Sequence, residues 1–401
     1  MTNYVIISIN FVLIFFLLFP FVTIIFSILF RNKKSVGKII KENDFACIIT
    51  AYKNVAITQP LIDSLQKQDY KNYQIYLVAD DCDLSEVDLS GTNTIILRPE
   101  KKLGSKVKSI IHAMNNFTRN HDALIIFDPD NVSHPNFLHE INRYFNLGYK
   151  AIQGKRIAKN LDNVYACLDA TGEMYYNYTG KLVPYKIGSS ANIAGSGMAI
   201  EVQAYKDYLN SKFIASNLDK VIVAEDKVLQ NVLISKGIRI AFAPDALVFD
   251  EKVSSGQQVQ RQRTRWINSY FQNIVESSKL IFLGVKNFNI NQLLFGLFTI
   301  YPPLFILVFS TIFLLVFDMF FSPDMMMFLM ASMAIFVLNF MLVLYLSKAP
   351  KEIWKSLWGI PVFIYFQVSA LLRMKKANKD FMHTQHTKFV TIDHLMKKKQ
   401  A

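Results

Sequence analysis

The sequence predicts an α/β domain, built on a mainly parallel sheet, set between membrane-spanning helices. Three observations lead there. Short apolar runs alternate with polar stretches of helical period over residues 44 to about 275. Long apolar stretches, rich in Phe, lie towards the two ends of the chain. Two of the central apolar runs stop directly at paired acidic residues.

Tyr4 to Phe30 is almost wholly apolar and long enough to cross a bilayer as a helix. It lacks a positive leading region and a small-residue cleavage site, so it reads as an anchor and not as a removed signal. Arg31, Lys33, Lys34, Lys38 and Lys41 follow it. The positive-inside tendency therefore places the next region in the cytoplasm.

In that region Phe45 to Ile49, Tyr73 to Ala79, Thr94 to Leu97 and Ala123 to Phe127 read as strands. Gln59 to Gln68 and Lys106 to Phe117 have the helical period. Ligands of such sheets bind at the carboxyl ends of the strands, so the chemistry is sought there.

Beyond it, Leu293 to Phe317 and Met325 to Leu346 read as spans, with Asp318 and Asp324 bracketing a short loop free of Lys and Arg. Lys348, Lys351 and Lys355 mark the return. Trp354 to Leu372 is a further apolar stretch. If it spans, the basic tail from Arg373 to Lys399 lies outside, against the tendency; if it is interfacial or re-entrant, the tail stays inside, which the charge favours. The expected division is an anchor with basic flank over 1–43, a cytoplasmic domain over 44–275, an interfacial helix and spans over 276–373, and a basic tail over 374–401.

The 401 residues carry a net charge of +13. No helix-turn-helix, zinc-finger or ribonucleoprotein pattern accompanies that charge, and many of the Lys and Arg flank apolar segments. Anionic lipid explains them better than nucleic acid. Cys47, Cys82 and Cys167 are odd in number and widely spaced, which gives neither a disulfide framework nor a zinc site and fits a reducing compartment.

Tyr73 to Ala79 runs into Asp80-Asp81, and Leu124 to Phe127 into Asp128-Pro129-Asp130. Carboxylates brought together repel unless a cation sits between them. Mg²⁺ or Mn²⁺ takes oxygen ligands and is commonly completed by substrate phosphates. Each Asp taken alone reads first as a turn or cap residue, and two such sites after neighbouring strands weaken that reading. Glu225-Asp226 precedes a helix-like stretch, where acids also complement the helix dipole. Gln262-Arg-Thr-Arg265-Trp266 lies in a basic stretch that reads either as a solvated helix or as a phosphate fork beside a sugar-stacking ring.

The ordered set Thr50-Ala-Tyr52, Asp80-Asp81, Gly104-Ser-Lys106, Asp128-Pro-Asp130, Gly195-Ser-Gly197, Glu225-Asp226 and Gln262-x-x-Arg265-Trp266 resembles the processive-type family 2 glycosyltransferases. That group includes cellulose, chitin and hyaluronan synthases and the ceramide glucosyltransferases. The resemblance covers residues 45 to 270 and implies a GT-A, Rossmann-like nucleotide-sugar-binding domain. It implies Tyr52 against the donor base, Asp80 (with Asp81) at the uracil or ribose, and Lys106 at the nucleotide or diphosphate. It implies Asp128 and Asp130 as the donor-phosphate and metal pair, with Mg²⁺ or Mn²⁺, and Asp226 as general base. Gln262, Arg265 and Trp266 become a clamp over diphosphate and acceptor, with Gly195, Ser196, Gly197 and Glu225 beside it.

The first loop, Thr-Ala-Tyr-Lys, and Lys227 after the acidic pair depart from many relatives without removing a reacting group. Asn192 to Met198 is not the cysteine-containing acceptor loop of chitin and hyaluronan synthases, which puts those products in doubt. The expected activity is inverting transfer from a UDP-sugar to a lipid-linked or polysaccharide acceptor at the membrane, in a plasma membrane of bacterial type. Single-sugar transfer to a lipid is the neighbouring alternative. A nucleotide-binding transporter would put ionisable residues within the spans, whose centres carry essentially none. An inactive scaffold finds no support, since every reactive position is present.

Overall fold

The computed structural model describes residues 2–30, 40–85, 89, 92–218, 224–372 and 388–400. Arg31, Lys33, Lys34 and Lys38 of the basic flank, the apolar run at 221–223 and the first half of the basic tail lie outside the described residues.

Among the described residues eight strands form one sheet: β1 (Phe45–Tyr52), β2 (Tyr73–Asp80), β3 (Thr94–Leu97), β4 (Ala123–Phe127), β5 (Val132–Ser133), β6 (Ala151–Ala158), β7 (Met198–Glu201) and β8 (Ile240–Asp250). Their order is β3-β2-β1-β4-β7-β6-β8-β5. β1 pairs parallel with β2 and β4, β2 with β3, and β6 with β8. β7 runs antiparallel to β4 and β6, and β5 antiparallel to β8. The sheet is thus mixed, and the expected parallel arrangement holds in its β3-β2-β1-β4 half.

β2 and β4 are buried along their whole length, which is why they read as continuous apolar runs without alternation. One face packs Ile49, Ile75 and Phe127 against Leu61, Leu65 and Ile141 of the covering helices. The other packs Ile48, Tyr76 and Ile126 against Ile110, Leu229 and Leu233. With apolar residues on both faces, the carboxyl ends of β1, β2 and β4 are left as the open edge where polar groups gather.

Among the described residues three helices are long and apolar enough to cross a membrane: Tyr4–Leu29, Leu304–Phe321 and Pro323–Leu346. The expected span from Leu293 is corrected. Ile290–Ile300 is a separate helix and the chain leaves helical form at 301–303, because Pro302 and Pro303 lack the N–H that would continue it. The span then begins at Leu304 and runs to Phe321, so Asp318 lies inside a helix and not in a loop. Its side chain is fully buried, and neither carboxylate oxygen has a hydrogen-bond partner among the described residues. Asn10 and Asn339 also bury polar atoms in these helices.

The last apolar stretch divides into Lys351–Ser356, a 3₁₀ turn over Leu357–Gly359, and Ile360–Leu372. Its last described helix has 13 residues, which at 1.5 Å each cover about 20 Å of the roughly 30 Å hydrocarbon core. It packs on the Gly256–Lys286 helix, where Thr264 and Gln260 bond Ala370 and Ser369. The tail returns to the domain. In the Ile392–Gln400 helix, Ile392 and Leu395 pack on Val132 of β5 and Phe249 of β8, while Lys388 meets Asp162 at 2.6 Å and Asp393 meets Lys67 at 2.5 Å. The tail is therefore on the domain's own side of any bilayer that the three helices cross.

Candidate active site

Local backbone strain marks the open sheet edge. Among the described non-glycine residues with positive φ, Lys53 (63°) follows β1, Asp81 (56°) follows β2 and Ala224 (59°) precedes the Glu225–Ser235 helix. A non-glycine residue in the left-handed region persists only where surrounding structure holds it, and such residues cluster at functional sites.

Asp80, at the end of β2, is buried and accepts the backbone N–H of Leu103 at 2.9 Å and of Gly104 at 2.8 Å. It fixes the turn that starts the Lys106–Asn115 helix, with Gly104 at φ 58°. Asp81 is outside that bond pair and faces Lys102 at 3.7 Å. Lys102 and Lys53 lie 5.1 Å and 5.5 Å from the centre of the Tyr52 ring, which makes a cationic platform around it.

Lys106 reaches across to the next strand. Its Nζ donates to Asp128 Oδ1 and, at 2.8 Å, to the carbonyl of Gly195. Burial works against its charge, but Asp128, then Glu225 and Asp226, outweigh burial and raise its pKa. Asn131 accepts from the Asp128 N–H at 3.1 Å and from the Ser196 hydroxyl at 2.7 Å, tying the DPD turn to the GSG loop. Asp130 turns elsewhere: its Oδ2 accepts the Glu251 N–H at 3.2 Å and its carbonyl accepts from Lys159 at 2.8 Å.

The GSG loop needs its glycines. Gly195 and Gly197 have φ of 78° and 60°, and a Cβ on Gly197 would meet Val248 at 3.0 Å. A Cβ on Gly195 would stand 3.8 Å from Asp226, so the loop and the acidic pair face each other. Asp226 accepts the Lys227 N–H at 2.9 Å. Burial, opposed by Lys106 and reinforced by Asp226, pushes the Glu225 carboxyl up to about 7. Burial also depresses the Arg265 guanidinium, against the pull of Glu225 and Asp128, which places Arg265 in the field of the same acids. Lys106, Asp128, Gly195, Glu225, Asp226 and Arg265 thus surround one region.

Gln262 and Trp266 lie on the same helix as Arg265, three residues before it and one after it. The Trp266 ring is about half exposed, with the Arg263 guanidinium 4.2 Å from its centre. Arg263 is paired at 2.5 Å with the buried Asp169.

Behind the site is an ionic cluster for which the sequence gives no signal. Arg156 pairs with Glu173 at 3.1 Å and with Asp250, and donates to the Ala194 carbonyl at 2.7 Å, just before the GSG loop. Lys252 joins Asp250 at 2.9 Å and also Glu173. Burial disfavours the Glu173 charge, yet Arg156, Lys252 and Lys181 hold its carboxyl well below the usual range.

The donor set suits a hard cation that keeps ligands of its own. Among the described residues no three His, Cys, Asp or Glu side chains gather to hold a metal unaided. One or two carboxylates completed by phosphate oxygens is the way Mg²⁺ is commonly bound. Asp128 offers one such carboxylate at the strand end, with the Lys106 ammonium on it.

Residues 43–269 match the model of a family described as "Glycosyltransferase like family 2". The chain belongs to that family. As a family 2 glycosyltransferase it transfers a sugar from a nucleotide-sugar donor, and its α/β domain has the GT-A fold. Among solved structures it is similar to the mannosyltransferase PcManGT from Pyrobaculum calidifontis, in complex with GDP-Man and Mn²⁺, at 11% identity and a TM-score of 0.57, over 94% of this chain and 98% of that one. It also matches TarS 1-349 of S. aureus at 12% identity and a TM-score of 0.40, over 88% and 95% of the two chains. No curated protein sequence matches it.

Proposed function

We propose that this glycosyltransferase moves a hexose or N-acetylhexosamine, with inversion, from a UDP-sugar to a membrane-associated glycan or lipid acceptor, on the cytoplasmic face, in the synthesis of a cell-surface polysaccharide. The observation that carries the reading is the convergence of Lys106, Asp128, Glu225, Asp226 and Arg265 beside the Gly195 loop. Tyr52, with Lys53 and Lys102 about it, offers a stacking surface for the donor base; Asp80 sets the turn beside it and Asp81 faces Lys102. Asp226 takes the proton of the attacking hydroxyl, a role that contributes about a hundred- to ten-thousand-fold in rate. Lys106 and Arg265 stabilise the departing diphosphate. Asp128, with Asp130 behind it, would hold Mg²⁺ or Mn²⁺, which adds positive charge at the leaving group. Ser196, Gly197, Gln262 and Trp266 line the acceptor side.

The test is release of nucleoside diphosphate by the purified protein in detergent, with and without Mn²⁺ and with native lipid extract as acceptor. UDP-glucose, UDP-N-acetylglucosamine and UDP-galactose are offered. GDP-mannose joins them because the PcManGT structure holds GDP-Man. Release from one UDP-sugar, lost with chelator, in Asp130→Ala and in Asp226→Asn, is the expected result. Release from GDP-mannose alone would overturn the nucleotide assignment, and undiminished turnover in Asp226→Asn the base assignment. Product mass then separates a polymer ladder from a single added sugar, the second reading that the family resemblance leaves open.

A further inference from the structure

We propose that the Lys106 ammonium is the built-in counter-cation of the acidic strand-end site and competes with a divalent metal ion for Asp128, so that the metal binds tightly only together with the donor's diphosphate. This rests on the metal and donor reading above.

The geometry gives Lys106 two anchors of different kinds. Its Nζ donates to the Asp128 carboxylate and, at 2.8 Å, to the Gly195 carbonyl. The backbone beneath it is fixed, since Asp80 clamps the Leu103 and Gly104 amides and Lys106 opens a helix directly afterwards. The mobile part is therefore the side chain alone, a flexible stem carrying a point charge.

A divalent ion on Asp128 would stand within a few ångström of that ammonium. Like charges that close oppose each other strongly in a partly buried site. The ion therefore meets a carboxylate already neutralised and a cation that must first be moved. A diphosphate removes the conflict, because it offers the ammonium new anionic oxygens within reach of the same stem while supplying oxygen ligands to the metal. Lys106 then exchanges one anionic partner for another and no charge is left unpaired. A lysine that only braced the Gly195 loop would behave differently: its loss would loosen the site and weaken metal binding.

The experiment measures Mn²⁺ binding to the full-length protein in detergent from the spin-resonance signal of free Mn²⁺, first alone, then with UDP and with GDP. The wild type is expected to bind Mn²⁺ weakly alone and tightly with one nucleotide. In Lys106→Met, nucleotide-free affinity should rise about tenfold or more, the order expected when a like charge is removed beside a carboxylate. The gain on adding nucleotide should shrink. Lys106→Gln, which can still donate to Gly195 but carries no charge, should behave as Lys106→Met and covers a Met variant that fails to fold. Adding Asp128→Asn to either variant should abolish the rise, which locates the ion. If neither uncharged variant binds Mn²⁺ more tightly than wild type while wild type binds it with nucleotide, the competition is refuted and the metal reading stands. If no form binds Mn²⁺ with or without nucleotide, the metal reading falls and this inference with it.

Discussion

His121 shows how single residues hold the domain's lower sheet edge. Its Nδ1 meets Asp44 at 2.5 Å and its Nε2 the Tyr76 hydroxyl at 2.9 Å. Burial lowers its pKa below the ordinary 6.5, against the raising effect of Asp44. The unfolded chain then binds more protons than the folded one in the window below 6.5, so this residue's contribution to stability is lost as pH falls through that window. Denaturant midpoints at pH 7 and pH 5 should differ less in His121→Gln than in wild type; equal differences would show that folding leaves the His121 pKa unshifted. At this scale the strand-end acids were legible, because paired carboxylates after apolar runs stand out in any sequence. Asn131 was not: an Asn after a DPD turn looks like any turn residue, and its bonds to Asp128 and Ser196 exist only once β4 and the GSG loop are adjacent. Arg156, Glu173, Asp169 and Lys252 were silent for the same reason, as their partners are distant in sequence.

The helix Gly256–Lys286 and its neighbour Ile290–Ile300 form a hairpin whose close packing depends on glycine. A Cβ on Gly284 would lie 2.3 Å from the Leu293 backbone nitrogen, and one on Gly296 2.9 Å from the Ser277 carbonyl. Backbone cannot move aside as a flexible side chain can. Gly284→Ala should therefore destabilise by about 1–3 kcal/mol, the usual cost of overpacking, read as a lower melting temperature in detergent. An unchanged melting temperature would mean the hairpin opens without penalty. The same helix carries Arg265 and Trp266, so the variant should also lose activity. Element existence was well marked by apolar period, and β1, β2, β3 and β4 lie where the pattern put them. Boundaries near proline and the antiparallel insertion of β7 were not, since pairing direction depends on where the chain returns and leaves no mark in local composition.

At the scale of the molecule, the three apolar helices described above and the α/β domain share a chain in which the Ile392–Gln400 helix clasps the sheet. Inside the helices Asp318 is a costly group, because a buried carboxylate without a hydrogen-bond partner among the described residues is unfavourable. Asp318→Asn keeps the shape without the charge and should leave the melting temperature unchanged or raise it; a fall of several degrees would reveal a partner that the carboxylate requires. The clasp bears on how the protein is made. β5 is the edge strand at one end of the sheet, and the residues that cover it, Ile392 and Leu395, are about 260 positions further along the chain than Val132. Until the ribosome has added those residues, that sheet margin stands open to mispairing with any passing strand.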